Sequence, residues 1–164
     1  MKLTASTKNL SLLYSSKHVI PPIAARYMGS PVHPIAPKIA HSWKGRDRDT
    51  LWWRVSVSHI TQLKRVVRSL CARQARLAFE LALKEKGFDR LGRPLPSSYS
   101  WLPRDPLTGS VDLIIRPSFV KQSFETVQHD ARLVLEGLLK QRAMHNQIAY
   151  PYPRSEAPPG MERA

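Results

Sequence analysis

The sequence contains little cysteine, few glycines and no long apolar run. Of its 164 residues only Cys71 is a cysteine, so no disulfide can form within the chain and no zinc-binding spacing exists. Cys71 falls in a segment of apolar periodicity, which predicts a buried position in the core. The seven glycines are not clustered, which excludes a glycine-rich phosphate loop. No stretch approaches the roughly 20 apolar residues that a membrane-spanning helix needs.

Catalytic and metal-binding patterns are also missing. The six histidines are scattered, and no pair of them stands at metal-ligand spacing beside a third candidate ligand. Neither a Ser–His–Asp order nor a close pair of carboxylates stands out. We therefore expect no enzymatic activity, and no metal, cofactor or small-molecule substrate.

Acidic residues are scarce. Twelve Asp and Glu stand against 26 Lys and Arg, which gives a formal net charge of +14 and a sequence pI near 10.5. An excess of this size attracts nucleic acid or an anionic membrane surface. Binding that depends on it should weaken steeply as the salt concentration rises.

The first 46 residues contain no acid at all, since the first one is Asp47. This stretch is basic and rich in Ser and Thr, which is typical of an organelle transit peptide and predicts mitochondrial targeting. The alternative is a disordered basic tail that binds RNA. Five prolines between residues 18 and 46 exclude a sustained helix. Because apolar residues lie between these prolines, we expect an extended N-terminal arm that rests on a partner, with a flexible linker as the alternative.

Residues 47–148 are predicted to form a helical domain. Its first helix should run from about Leu51 to Lys86, because Asp49 or Thr50 can cap the start, Gly87 can end it, and neither Gly nor Pro interrupts it. At 100° per residue, one side of this helix carries an apolar seam and the other a cationic stripe without acids. The seam includes Leu63, Val67, Leu70 and Leu77; the stripe contains Arg54, Arg65, Arg68 and Arg76.

A second helix is expected from about Ser118 to Asn146, following Pro117. Between the helices, residues 87–117 form a proline-rich connector whose segment 111–116 has the composition of a short strand but no obvious partner in the chain. Residues 149–164 should form an extended tail. The predicted fold is therefore mainly α: two long helices packed as an antiparallel pair, with extended proline-rich arms at both ends and at most one short strand.

The basic residues are the candidate functional site. The planar guanidinium group of arginine can donate two parallel hydrogen bonds to the oxygens of one phosphate. The stripe therefore predicts contacts with a nucleic-acid backbone. A second basic cluster precedes the adjacent Trp52 and Trp53, which suits RNA because bases can stack on aromatic rings; the alternative for both tryptophans is a role in the core and at the start of the helix. The candidate RNA-binding residues are Lys44, Arg46, Arg48, Arg54, Lys64, Arg65, Arg68, Arg73 and Arg76.

These features together predict a structural, RNA-binding subunit of a large ribonucleoprotein. Its partners would be the phosphate backbone of rRNA and neighbouring proteins, and its location the mitochondrial matrix, as part of the mitochondrial ribosome. Two alternatives remain open. One is a basic subunit of a nuclear or nucleolar RNA-processing particle. The other is a non-catalytic accessory or assembly subunit of a mitochondrial respiratory complex.

Overall fold

The computed structural model describes residues 2–30, 32–96 and 105–149. Within these residues the chain forms a four-stranded mixed sheet with the strand order β1-β2-β4-β3. The strands are β1 (Lys2–Ser6), β2 (Leu10–Ser15), β3 (Leu51–Ser56) and β4 (Gly109–Ile115). The β1–β2 and β2–β4 pairs are antiparallel, whereas β3 and β4 run parallel.

Two long helices cover one face of this sheet. After β3, a 3-10 turn at Ser58–Ile60 leads into α3 (Arg65–Glu85), which connects β3 to β4. A second 3-10 turn at Pro117–Lys121 precedes α4 (Phe124–Ala149), which packs on α3 and on β1 and β2. The shorter helices α1 (Pro22–Met28) and α2 (Ala36–Lys44) lie between β2 and β3 and contact each other.

The alternation of side chains along the strands decides which sheet face is buried. In β4, Val111, Leu113 and Ile115 are at most 2% exposed, while the residues between them are only half-buried. Successive strand residues point to opposite faces, so the three buried ones lie under the helices. Together with Leu12 of β2 and Phe79 of α3 they belong to one hydrophobic core.

The prediction of a mainly α fold is wrong. Residues that should have begun a 36-residue helix instead form β3, and α3 begins only at Arg65. The absence of Gly and Pro from this stretch permits a helix but does not require one. Trp53, Val55 and Val57 repeat every second residue, they are aromatic or β-branched, and all three pack against the core. Residues 51–56 therefore form a strand that pairs with β4, and the helical periodicity of the residues from Arg65 onward does not extend back to them.

The two segments that the sequence left without partners form the rest of the sheet. Residues 111–116 were expected to be an isolated short strand, yet β4 is central and pairs on both sides. The N-terminal segment was expected to be an extended arm, yet it forms the β1–β2 hairpin, followed by α1 and α2. Its prolines fit this arrangement because Pro22 and Pro37 stand in the first turns of the two short helices. The predicted tail from residue 150 onward and the connector residues 97–104 lie outside the described residues.

The face on which α3 packs also differs from the prediction. Leu70 and Leu77 of the predicted seam are 52% and 49% exposed. The buried face instead contains mostly small residues: Cys71, Ala72, Ala75, Ala78, Phe79, Ala82 and Leu83. Small side chains allow α3 to approach α4 and the sheet closely, and Phe79 fills the remaining space against the ring of Trp53, 5.0 Å away between centroids. The expected burial of Cys71 is confirmed.

Candidate nucleic-acid interface

A groove of about 420 Å³ lies where the first half of α3 passes the β3 edge of the sheet. Four arginines of α3 line it: Arg65, Arg68, Arg73 and Arg76. The remaining lining comes from α3 and from β3 and the residue after it: Ser69, Ala72, Val55 and Val57. We call this feature the arginine groove.

The helical repeat of α3 brings these arginines to one side. Arg68, Arg73 and Arg76 follow Arg65 by three, eight and eleven residues. At 100° per residue, each of them projects within about 80° of the direction of Arg65. From the first to the last, the cations extend about 16 Å along the helix axis. Val55 and Val57 lie on the helix-facing side of the sheet and form the opposite wall.

The charge of the arginine groove is not neutralised within residues 2–30, 32–96 and 105–149. The ion pairs in those ranges involve other cations, and none joins a groove arginine to a carboxylate. Four arginines elsewhere do have acidic partners among the described residues, including Arg132 with Glu85 and Arg90 with Glu80. Four unpaired guanidinium groups in one concave surface produce a local positive potential that favours an anion.

Arg68 has a further property that distinguishes it from the other three. Its Nε atom is buried and has no hydrogen-bond partner among the described residues. A buried N–H donor without an acceptor costs about 1–3 kcal/mol. An anionic oxygen bound in the groove would meet the outer nitrogens of this guanidinium group, and it would reach Nε only if the side chain moved.

Lys64 occupies the position just before the first residue of α3 and is exposed. It precedes Arg65 in the chain but does not line the groove. The structure thus brings four of the nine candidate residues together in the groove, namely Arg65, Arg68, Arg73 and Arg76.

Arg54 does not belong to this set. It lies in β3, and alternation along the strand directs it to the sheet face opposite α3, where its Nη2 donates to Asp112 Oδ2 at 2.5 Å. The prediction that Arg54 continues the stripe of Arg65 and Arg68 is wrong because β3 is not part of the helix.

The three remaining candidates, Lys44, Arg46 and Arg48, lie between the end of α2 and the start of β3. The arginine groove lies at the C-terminal end of β3, whereas these residues precede its N-terminal end. The two ends of the strand are about 20 Å apart. The structure therefore does not bring the two basic clusters together.

Arg46 has a packing role in this second cluster. Its guanidinium carbon stands 4.5 Å from the centroid of the Trp52 ring and 5.0 Å from that of Trp43, as in cation–π contacts. His18 packs on Trp52 from the β2–α1 connection, with centroids 4.4 Å apart. Partial burial lowers the pKa of the Arg46 guanidinium. Because Trp52 is only 6% exposed, it anchors the α1–α2 segment on the sheet and offers little ring surface for a base.

This anchored segment encloses a second cavity of about 370 Å³ above the outer face of the sheet. Val19, Pro21 and Trp43 line one side, and Leu13 and the Arg54–Asp112 pair belong to the sheet beneath. The cavity is mainly apolar, in contrast to the arginine groove, and it holds a single unpaired arginine, Arg46.

Sequence reasoning missed the strand side of the arginine groove. Val55 and Val57 were expected to lie within a helix, and Ser69 and Ala72 were not considered. The alternation of Trp53, Val55 and Val57 was the signal that could have revealed β3. The importance of Ala72 had no such signal, since a small residue acquires its role only from the surface that packs against it.

The described part of the chain contains no cluster of three or more His, Cys, Asp or Glu side chains that could hold a metal ion. None of the helices described is both long and apolar enough to cross a bilayer. Comparison of the chain with models of protein families, with curated proteins and with solved structures gives no match.

Proposed function

We propose that this protein is a structural RNA-binding subunit of a ribonucleoprotein, and that the arginine groove holds the phosphate backbone of an RNA strand. The observation that carries the proposal is a groove lined by four arginines that have no acidic partner among the described residues. Phosphate oxygens carry the charge and the acceptor geometry that such a cluster requires.

The chemistry of the groove favours contact with the backbone over recognition of bases. Its described lining contains no aromatic side chain on which a base could stack. It also lacks Asn, Gln, Asp and Glu, which read adenine and cytosine, so guanine is the one base whose edge its arginines could recognise. Binding should therefore depend on charge and on the spacing of phosphates, with little preference for sequence.

The proposed setting is the mitochondrial ribosome, in the matrix, where the formal charge of +14 would be balanced by rRNA. The residues that suggest a transit peptide also form β1 and β2, in which Leu10 and Leu12 are fully buried. Removal of this hairpin would expose the core, so we propose that residues 2–15 stay in the mature protein. The N-terminal residue of the protein isolated from mitochondria tests this point, because a mature chain that starts after Ser15 contradicts it.

Fluorescence anisotropy with a labelled RNA of about 20 nucleotides, measured at several salt concentrations, tests the groove. The variant Arg65→Gln/Arg68→Gln/Arg76→Gln removes three cations from it. The control Lys8→Gln/Lys38→Gln/Lys121→Gln removes three exposed cations elsewhere. Each variant removes three positive charges from the formal net charge of +14.

The groove variant should bind at least about tenfold more weakly, and its log–log salt slope should fall by about 2–3, since each phosphate contact contributes about 0.7–0.9. The control should change the slope by less than one. Equal losses in the two variants would show that only total charge matters, and the groove would not be the interface. Circular dichroism checks that both variants are folded.

Fractionation of cell extracts tests the setting. Co-sedimentation with large particles, abolished by RNase, is expected of a ribonucleoprotein subunit. Retention with membranes after RNase would contradict the proposal and would support the accessory subunit of a respiratory complex.

A further inference from the structure

The face of α3 that points away from the core carries an exposed row of apolar side chains. Val66, Leu70 and Leu77 are 79%, 52% and 49% exposed. At 100° per residue they project within about 40° of one another and roughly 180° from the buried face that centres on Ala75. We call this row the apolar stripe. The arginine groove lies between the stripe and the sheet, and Arg73 borders both surfaces.

Among the described residues, the unpaired charges beside the apolar stripe are positive, and Glu85 on its other side is paired with Arg132. Arg73 and Lys84 project within about 60° of it, both are exposed, and no acid pairs with either among the described residues. The nearest acid, Glu80, is neutralised by Arg90, whose Nε lies 3.1 Å from its Oε1. A partner that covers the stripe must therefore bring negative charge to its own rim, because like charges facing each other weaken association.

From this geometry we propose that the apolar stripe of α3 is the docking site for an acidic amphipathic helix of a partner protein. Val66, Leu70 and Leu77 are separated by four and seven residues, which is the spacing of side chains along one helix face. A partner helix with apolar residues at the same spacing could pack its side chains between them. Arg73 and Lys84 then pair with carboxylates that flank the apolar side of the partner helix. This surface does not depend on the RNA-binding role proposed for the groove.

The same charges argue against other occupants. A second copy of the chain would place the basic residues of one α3 against those of the other. Residues 150–164 carry two Arg and two Glu, and residues 97–104 carry one Arg and no acid, so neither segment supplies the required negative charge. A membrane surface is also negative and accepts Leu side chains, so a crosslink to lipid is one of the outcomes that the test below distinguishes.

Site-specific photo-crosslinking in cells tests the proposal on the full chain. A benzoylphenylalanine at position 70 should crosslink to a protein segment of net negative charge whose apolar residues repeat at helical spacing. The matched control places the same probe at Leu133 of α4, which is 47% exposed. Mass spectrometry identifies the crosslinked peptide, and the yield at position 70 should exceed that at position 133 by at least about fivefold.

Two variants separate this surface from the groove. Lys84→Glu, at a cation that does not line the groove, should reduce the crosslink from position 70 several-fold, whereas Arg65→Gln/Arg68→Gln should leave it unchanged while weakening RNA binding. A crosslink to RNA, to lipid, to a second copy or to the chain's own residues overturns the proposal. A yield at position 70 equal to that at position 133, or a crosslinked segment without net negative charge, also overturns it.

Discussion

Arg54 of β3 and Asp112 of β4 form an ion pair at 2.5 Å between neighbouring parallel strands, on the sheet face that α3 does not cover. Their side chains are 35% and 25% exposed, so both remain partly in contact with solvent. Arg54 therefore has an acidic partner within the sheet, whereas no arginine of the arginine groove has one among the described residues.

Arg54→Ala should lower the free energy of unfolding by about 1 kcal/mol, because Asp112 would keep a carboxylate with no partner on either oxygen. Its effect on RNA affinity should be small, and the salt slope should change by less than one. Urea denaturation and RNA anisotropy measure the two effects. Arg68→Ala is the matched comparison, and we expect it to weaken RNA binding without a similar loss of stability. The reverse pattern would contradict the assignment of Arg54 to the sheet.

A second prediction concerns the buried hydrogen bond that joins the β1–β2 turn to α4. Asn9 Nδ2 donates to Asp130 Oδ2 at 2.6 Å, and the residues are only 3% and 8% exposed. Asn9→Ala should lower the free energy of unfolding by about 1–3 kcal/mol, since the carboxylate of Asp130 would lose its buried donor. Thermal or urea unfolding measures the loss. Lys8→Ala, at an exposed neighbour, should change stability by less than about 0.5 kcal/mol; equal effects at both positions would show that the bond is unimportant.

A third prediction compares two glycines. Gly109 at the start of β4 has a φ of +106°, and a Cβ there would stand 2.3 Å from the backbone oxygen of Ser15. Gly109→Ala should therefore destabilise the protein by roughly 2 kcal/mol or more. Gly137 lies within α4, where a Cβ would make an ordinary contact of 3.4 Å with Ala5. Gly137→Ala should stabilise the protein by about 0.5–1 kcal/mol through helix propensity. Shifts of the same sign in the two melting temperatures would contradict this contrast.

A fourth prediction concerns pH. Arg132 of α4 contacts the carboxylate of Glu85, at the end of α3, through Nη2 and Nε, each at 2.6 Å. The hydrogen bond from Arg132 lowers the pKa of the Glu85 carboxyl below its ordinary value of 4.5. A lowered pKa in the folded state means that this pair contributes its stability above pH 4.5 and loses it as the pH falls through the folded-state pKa.

Urea midpoints of the wild type and of Arg132→Gln should therefore differ at pH 7, and the difference should shrink below pH 4.5. Lys121→Gln is the control, because it removes an exposed cation that forms no ion pair with a described acid. A difference that stays constant down to pH 3 would show that Arg132 acts by packing and not by its bond with Glu85.

Sequence reasoning gave the wrong fold but the right relative placement of three arginines. Arg65, Arg68 and Arg76 were expected on one helical side and they do line one groove, because helical phase depends only on local geometry. The same calculation failed for the packing side of α3, since Leu70 and Leu77 are larger and more hydrophobic than the alanines that are buried in their place. Hydrophobicity indicates which residues can be buried, but the shape of the neighbouring surface selects those that are.

The sequence by itself determined the net charge of +14, the run of arginines without acids from Arg54 to Arg76, and the absence of cysteine pairing. It also determined that residues after Arg65 favour a helix. Only the tertiary structure decided that Leu51–Ser56 forms a strand, that β4 is central, and that Arg54 belongs to the sheet. The reason is that strands are stabilised by partners distant in sequence, such as Leu10–Ser15 for β4, whereas a helix makes its hydrogen bonds within four residues of the same segment.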